Sequence, residues 1–238
     1  MIKKKKILAV VPARGGSKGV KLKNLYPIGG VPLVALAGNC LEQILEIDRR
    51  VVSTDHEEIA RIAEASGLAA PFWRPPALSG DRIGDWEVLN HALLEMEQID
   101  GVQYDIVMMI QPTSPMRTPK HILDTLEFFI DGDWDAVWSV SETDLSYHPM
   151  KQLTITDDQI AFFVPEGAKI IARQQLKPVY HRNGIAYAFS RECIVEQKVK
   201  LGKRTGAIII DGPAISIDTL EDFTAVEHHL SKVWTPSR

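Results

Sequence analysis

The chain has 238 residues, 45% of them hydrophobic and 24% charged, with 27 basic against 31 acidic side chains and a net charge of −4. These proportions exclude a disordered tail, a collagen-like repeat and a disulfide scaffold, and they supply enough apolar residues for one large domain. The acidic balance argues against non-specific nucleic-acid binding, while leaving room for a locally basic pocket.

Lys3–Lys6 reads as a solvated lead-in to Lys6–Val11, an apolar run with the look of a strand buried on both faces. A polar, glycine-rich loop follows from Ala13 to Asn24. Pro32 to about Glu46 reads as a helix with proline in its first turn. Arg50–Ser53 is a short strand, and Asp55 is expected to cap a helix that Gly67 ends. Gly84 or Asp85 opens a helix with Val88, Leu89, Ala92, Leu93 and Met96 on one face. Asp105–Ile110 is a buried strand, Pro119 to about Ile130 a helix, and Asp135–Val140 a further strand. This alternation predicts an α/β fold, a mostly parallel sheet with helices on both faces.

From Ser141 to about Tyr180 the rhythm changes. Gln152–Thr156 and Gln159–Val164 flank Thr156-Asp157-Asp158, the pattern of a hairpin, so a small antiparallel arm is expected at about 141–180 within a single domain spanning 1–238. The βα pattern then resumes with Ile185–Phe189, a helix from about Arg191, Ala207–Ile210, and a last helix from about Thr219 to Ser231.

Cys40 and Cys193 stand far apart with no CxxC pair, the usage of reduced thiols. The longest apolar runs, Ile7–Pro12 and Ile106–Ile110, are far short of the ~20 residues that span a bilayer. The run after the lysines is too short for a signal-peptide core, so a cytoplasmic address is expected.

Ligands of open α/β sheets sit beyond the carboxyl ends of the strands. Pro12–Asn24, Gln111–Arg117 and Ser216–Asp222 all fall at such ends and are expected to meet in one crevice. Gly15, Gly16 and Gly19 let the backbone approach an anion, and Arg14, Lys18, Lys21 and Lys23 match the charge of a triphosphate. Neither a Walker A spacing nor a G-x-G-x-x-G fingerprint occurs.

Read whole, Pro12–Asn24 resembles the nucleotide-binding signature of the CMP-sugar synthetases, the acylneuraminate cytidylyltransferases. Gln111-Pro-Thr-Ser-Pro-Met-Arg117 resembles the family's Q-P-T-S-P-x-R, and Arg173-Gln-Gln-Leu176 with Asn183-Gly-x-x-Tyr187 resembles its sugar-side stretch. Ile217-Asp-Thr-Leu-Glu-Asp222 is similar to its metal-side D-T-x-x-D.

The resemblance implies a Rossmann-like domain with a dimerisation arm, acting as a homodimer. The implied reaction moves CMP from CTP to the anomeric hydroxyl of a 2-keto sugar acid of the sialic acid type. It assigns Arg14 and Lys23 to phosphate charge, Ala13, Gly15, Gly16 and Ser17 to backbone or hydroxyl contacts, and Asn24, Arg74 and Asp85 to the nucleotide. Gln111, Lys151, Arg173, Asn183 and Tyr187 would face the sugar acid. Asp218 would hold Mg²⁺ or Mn²⁺. Ser216 stands where relatives commonly carry the first aspartate of a D-x-D pair. The alternatives are a synthetase for another acid, such as 3-deoxy-octulosonate, and a non-catalytic nucleotide-binding homologue.

Overall fold

A computed structural model describes residues 4–233; Lys3, at the head of the basic lead-in, lies outside them. The chain runs β1 (Ile7–Pro12), a two-residue ribbon β2 (Pro27–Ile28) and β3 (Val31–Pro32), α1 (Leu33–Glu42), β4 (Arg49–Ser53) and α2 (Glu57–Glu64). It continues through α3 (Asp85–Asp100), β5 (Ile106–Met109), α4 (Pro119–Asp131) and β6 (Ala136–Glu142). The hairpin β7 (Leu153–Thr156) and β8 (Gln159–Phe162) comes next, then β9 (Tyr180–Ser190), β10 (Thr205–Ile209) and α5 (Leu220–Val233).

Six strands form one sheet in the order β10-β6-β9-β5-β1-β4. β1 pairs in parallel with β4 and β5, and β10 with β6, so these five strands share a direction. β9 alone runs against its neighbours. The resumed βα rhythm therefore returns antiparallel, a correction that periodicity does not foresee because a doubly buried strand reads apolar in either direction.

Along β1, Ile7, Ala9 and Val11 face a core with Val34 and Leu41 of α1, Ile59 of α2, and Ile122 and Leu126 of α4. Leu8 and Val10 face the opposite core with Leu89, Leu93 and Met96 of α3. Each of these buried aliphatic side chains contributes about 1.5–3 kcal/mol of transfer free energy, so the central strand is the best-anchored element.

The hairpin is present: Asp157 and Asp158 take φ of 48° and 61°, the left-handed pair that a tight two-residue turn needs. Two local expectations fail. Asp55 caps nothing on α2; its carboxylate accepts the Gly15 N–H at 2.8 Å, and His56 holds the cap position. The helix expected from Arg191 is a brief turn, π-helical over Cys193–Gln197 and closed by Lys198 at φ 55°.

Candidate active site

β1 delivers Pro12 to the carboxyl edge of the sheet, and the Ala13 N–H is tied to the Ser53 carbonyl of β4 at 2.9 Å. Beyond it the loop bends on its glycines. A Cβ on Gly19 would run into the Asp218 backbone carbonyl, so only glycine lets the loop touch the 216–222 segment there. The buried Asn24 side chain donates to the Arg14 carbonyl at 3.0 Å and closes the loop on itself. Underneath, Val20, Ile28, Leu33, Ile217, Phe223 and Val226 form a third apolar cluster that binds loop and α5 together.

On this platform the Lys23 ammonium donates to the Asp218 carboxylate at 2.9 Å and to the Ile217 carbonyl at 2.7 Å. The Lys23 side chain is only 15% exposed, while Asp218 is 77% exposed and opens to solvent. Thr219 and Asp222 form a capping box on α5: the Asp222 carboxylate accepts the Thr219 N–H at 2.7 Å, and the Asp222 N–H reaches the Thr219 hydroxyl at 3.4 Å. The same carboxylate takes the Asp218 N–H at 2.8 Å. Burial raises the Asp222 pKa, but these hydrogen bonds outweigh it and hold the carboxyl below its ordinary value.

A cleft of about 520 Å³ opens here. The loop contributes Arg14, Ser17, Lys23 and Asn24 to its walls; the other strand ends and α3 contribute Arg74, Asp85, Gln111 and Asp218. Eight of the residues singled out in the sequence thus meet in one cavity, as the placement of the three polar segments at strand ends requires. Arg74 is buried, donating to the Ser53 hydroxyl at 3.0 Å and carbonyl at 2.5 Å; burial lowers its pKa to about 10 despite the nearby Asp55 charge. Ala13 is buried and Gly15 is turned to Asp55, both behind the cleft, while Gly16 borders a shallower pocket beside it.

Asp85 is shared with a small recess walled by Trp86, Leu89, Met109, Trp138, Tyr187 and Phe189. Arg182 and Lys200 flank this carboxylate at 3.7 and 3.6 Å, and the Arg182 guanidinium lies 5.2 Å from the Trp138 ring centre. Of the residues assigned to the sugar acid, Tyr187 is buried in this wall, its hydroxyl accepting the Gly184 N–H at 2.8 Å. Asn183 is buried too; its side chain is held by Ser139 at 2.6 Å, Ser141 at 3.1 Å and the Ile185 N–H at 3.1 Å. Lys151 and Arg173 lie on the insert, away from the cleft of this chain.

Two site residues have roles that the sequence reading did not assign. Arg117 is buried without a carboxylate partner and donates to three carbonyls: Ile185 at 2.5 Å, Gln111 at 2.5 Å and Gly184 at 3.0 Å. Burial pushes its pKa down to about 10. It staples the Gln111 loop to β9, where Gly184 at φ 72° has room for no Cβ against Ser114 and Gln111. Asp81 bonds Arg14 and Lys18 inside the cleft; a carboxylate beside Gly80 in the loop ahead of α3 carries no local pattern that would mark it.

Among the described residues no group of three or more His, Cys, Asp or Glu is positioned to hold a metal. The single exposed carboxylate of Asp218 still suits Mg²⁺, which keeps waters and takes phosphate oxygens in place of protein ligands.

Parallel strands that bring a basic, glycine-bent loop to their carboxyl edge define an α/β protein with a cationic crevice at that edge. This chain belongs to the cytidylyltransferase family, whose model matches residues 8–219. It is 30% identical over 228 residues to N-acylneuraminate cytidylyltransferase of Streptococcus agalactiae serotype V, covering 94% of this chain and 53% of that protein. The chain therefore spans about half the length of that relative. It is also 30% identical to the CMP-N,N'-diacetyllegionaminic acid synthase of Legionella pneumophila, covering 93% of this chain and 95% of that one. A solved CMP:2-keto-3-deoxy-manno-octonic acid synthetase complexed with CTP shares the fold, with a TM-score of 0.69, 17% identity, and 96% and 99% of the two chains covered.

Proposed function

We propose that this chain transfers CMP from CTP to the anomeric hydroxyl of a 2-keto sugar acid of the nonulosonate type, releasing pyrophosphate. The observation that carries the reading is the Lys23–Asp218 pair, 2.9 Å apart in one cleft though 195 positions apart in the chain. Membership of the cytidylyltransferase family supports the nucleotide, and the named acids of the sialic and legionaminic relatives support the acceptor.

In this reading the acceptor hydroxyl gives its proton to solvent as its oxygen forms a bond to the α-phosphorus and the bond to pyrophosphate breaks. Such transfer asks the protein for positioning and charge stabilisation rather than covalent chemistry. Lys23 and Arg14 take up charge developing on the leaving phosphates, and Asn24 and Arg74 hold the nucleotide end. Gln111, with the recess beside Asp85, Arg182 and Lys200, faces the acceptor. Asp218 would be the protein ligand for Mg²⁺ or Mn²⁺, and a cation held there would supply neutralisation of phosphate charge.

Lys151 and Arg173 reach an acceptor only from the insert, which suits a homodimer whose arm closes the neighbouring site. The exposed Ile155, Ile160 and Phe163 of that insert supply an apolar surface for such pairing. Two buried free thiols fit a reducing, cytoplasmic setting.

The test is coupled pyrophosphate detection with CTP, ATP, GTP and UTP against N-acetylneuraminate, its deaminated analogue, legionaminate, pseudaminate and 3-deoxy-octulosonate. Release with CTP and a nine-carbon acid is expected. Preference for 3-deoxy-octulosonate would move the chain to the alternative synthetase. Binding of CTP without release from any acid would make it a nucleotide sensor.

A further inference from the structure

The cationic loop of the cleft is already paired with an internal anion. Asp81 sets one carboxylate oxygen 2.9 Å from Arg14 Nη1 and the other 2.8 Å from Lys18 Nζ. Arg14 Nη1 also donates to the Ser79 carbonyl at 3.1 Å, so residues 79–81 lie across the loop as a strap. Gly80 beside Asp81 leaves that strap free to lift, and Gly80, Asp81 and Ile83 all line the cleft. The Arg14 side chain is 29% exposed and Lys18 80% exposed, so an incoming ligand reaches both cations without unfolding anything.

We propose that Asp81 competes with the phosphates for Arg14 and Lys18, which sets triphosphate affinity and expels pyrophosphate after transfer. The proposal rests on the reading of this cleft as a triphosphate site. A tethered carboxylate has a high effective concentration but a single charge. A triphosphate carries several charges and many acceptor oxygens, so it displaces Asp81. Once the α–β bond is broken, pyrophosphate is no longer tethered to the nucleotide and must hold the same two cations by itself. The returning carboxylate then shifts the balance toward release. A nucleoside monophosphate, lacking the outer phosphates, does not meet this competition. Asp81 thereby weakens ligands that carry the outer phosphates, pyrophosphate among them, and leaves a nucleoside monophosphate untouched.

The experiment measures binding of inorganic pyrophosphate, CTP and CMP by calorimetry to wild type, Asp81→Asn, Asp81→Ser and Asp81→Glu, with thermal melting to check folding. Removing two partly exposed ion pairs is expected to tighten pyrophosphate about fivefold in both neutral variants, with a parallel gain for CTP and CMP unchanged. Asp81→Glu should return toward wild type, and 0.5 M salt should narrow the difference by screening. Pyrophosphate binding unchanged or weakened in the neutral variants would overturn the proposal while leaving the cleft reading intact. A wild-type protein that binds neither CTP nor pyrophosphate would overturn the cleft reading and the proposal with it.

Discussion

Lys23 combines a nearly buried stem with an ammonium held on two oxygens, the geometry of a charge kept in place before its ligand arrives. An oriented donor in such a site is worth about 2.7–4 kcal/mol of barrier, so Lys23→Ala should lower turnover about 10²–10³-fold while the protein stays folded. Pyrophosphate release kinetics check this, and retention of most activity would remove Lys23 from the reaction. Arg117 acts differently. Arg117→Met strips the buried Ile185 and Gly184 carbonyls of this donor, at about 1–3 kcal/mol each, and should show first as a large loss of stability in urea unfolding. Glycines alternating with cations made Lys23 and Arg14 legible in sequence. Arg117 gave no such sign, because an arginine in a polar loop reads as a ligand contact until its carbonyl partners are seen. Asn183 and Tyr187 carried the same ambiguity, and their satisfied hydrogen bonds show what they do for β9.

Among the elements, α5 places Asp218, through the capping box of Thr219 and Asp222 and through the hydrogen bond from the Asp218 amide. Thr219→Ala should cost about 1 kcal/mol of local stability, visible as faster amide exchange at the start of α5. The Asp222 pKa is lowered in the folded state, so its contribution is present above the ordinary aspartate range near ~3.9 and disappears as pH falls through the lowered value. Amide exchange from pH 6 down to pH 3 should therefore open α5 in wild type and change less in Asp222→Ala; equal responses would exclude the cap. Helices α1 to α5 were legible to within a few residues because proline, glycine and the apolar stripes mark them; the one expected from Arg191 was not, being a single π-helical turn. The direction of β9 was not, since it is decided by which strands it joins at sequence separations that no local pattern records.

At the scale of the molecule, the hairpin stands apart from the sheet with its apolar side chains open: Ile155 is 73% exposed, Ile160 66% and Phe163 64%. If the arm pairs with a second copy, Ile160→Glu should shift the protein to monomer in sedimentation and depress activity, as the neighbouring site loses Lys151 and Arg173. A variant that stays the same size would place the partner surface elsewhere. The two-aspartate turn made this arm legible; what an exposed apolar face pairs with leaves no trace in one sequence. The glycine loop stands on Phe223 and Val226 as much as on the sheet, so the chemistry depends on a peripheral helix. Gentle warming should loosen that helix well below global melting, abolishing the proposed pyrophosphate release while the circular dichroism hardly changes, and cooling should restore it.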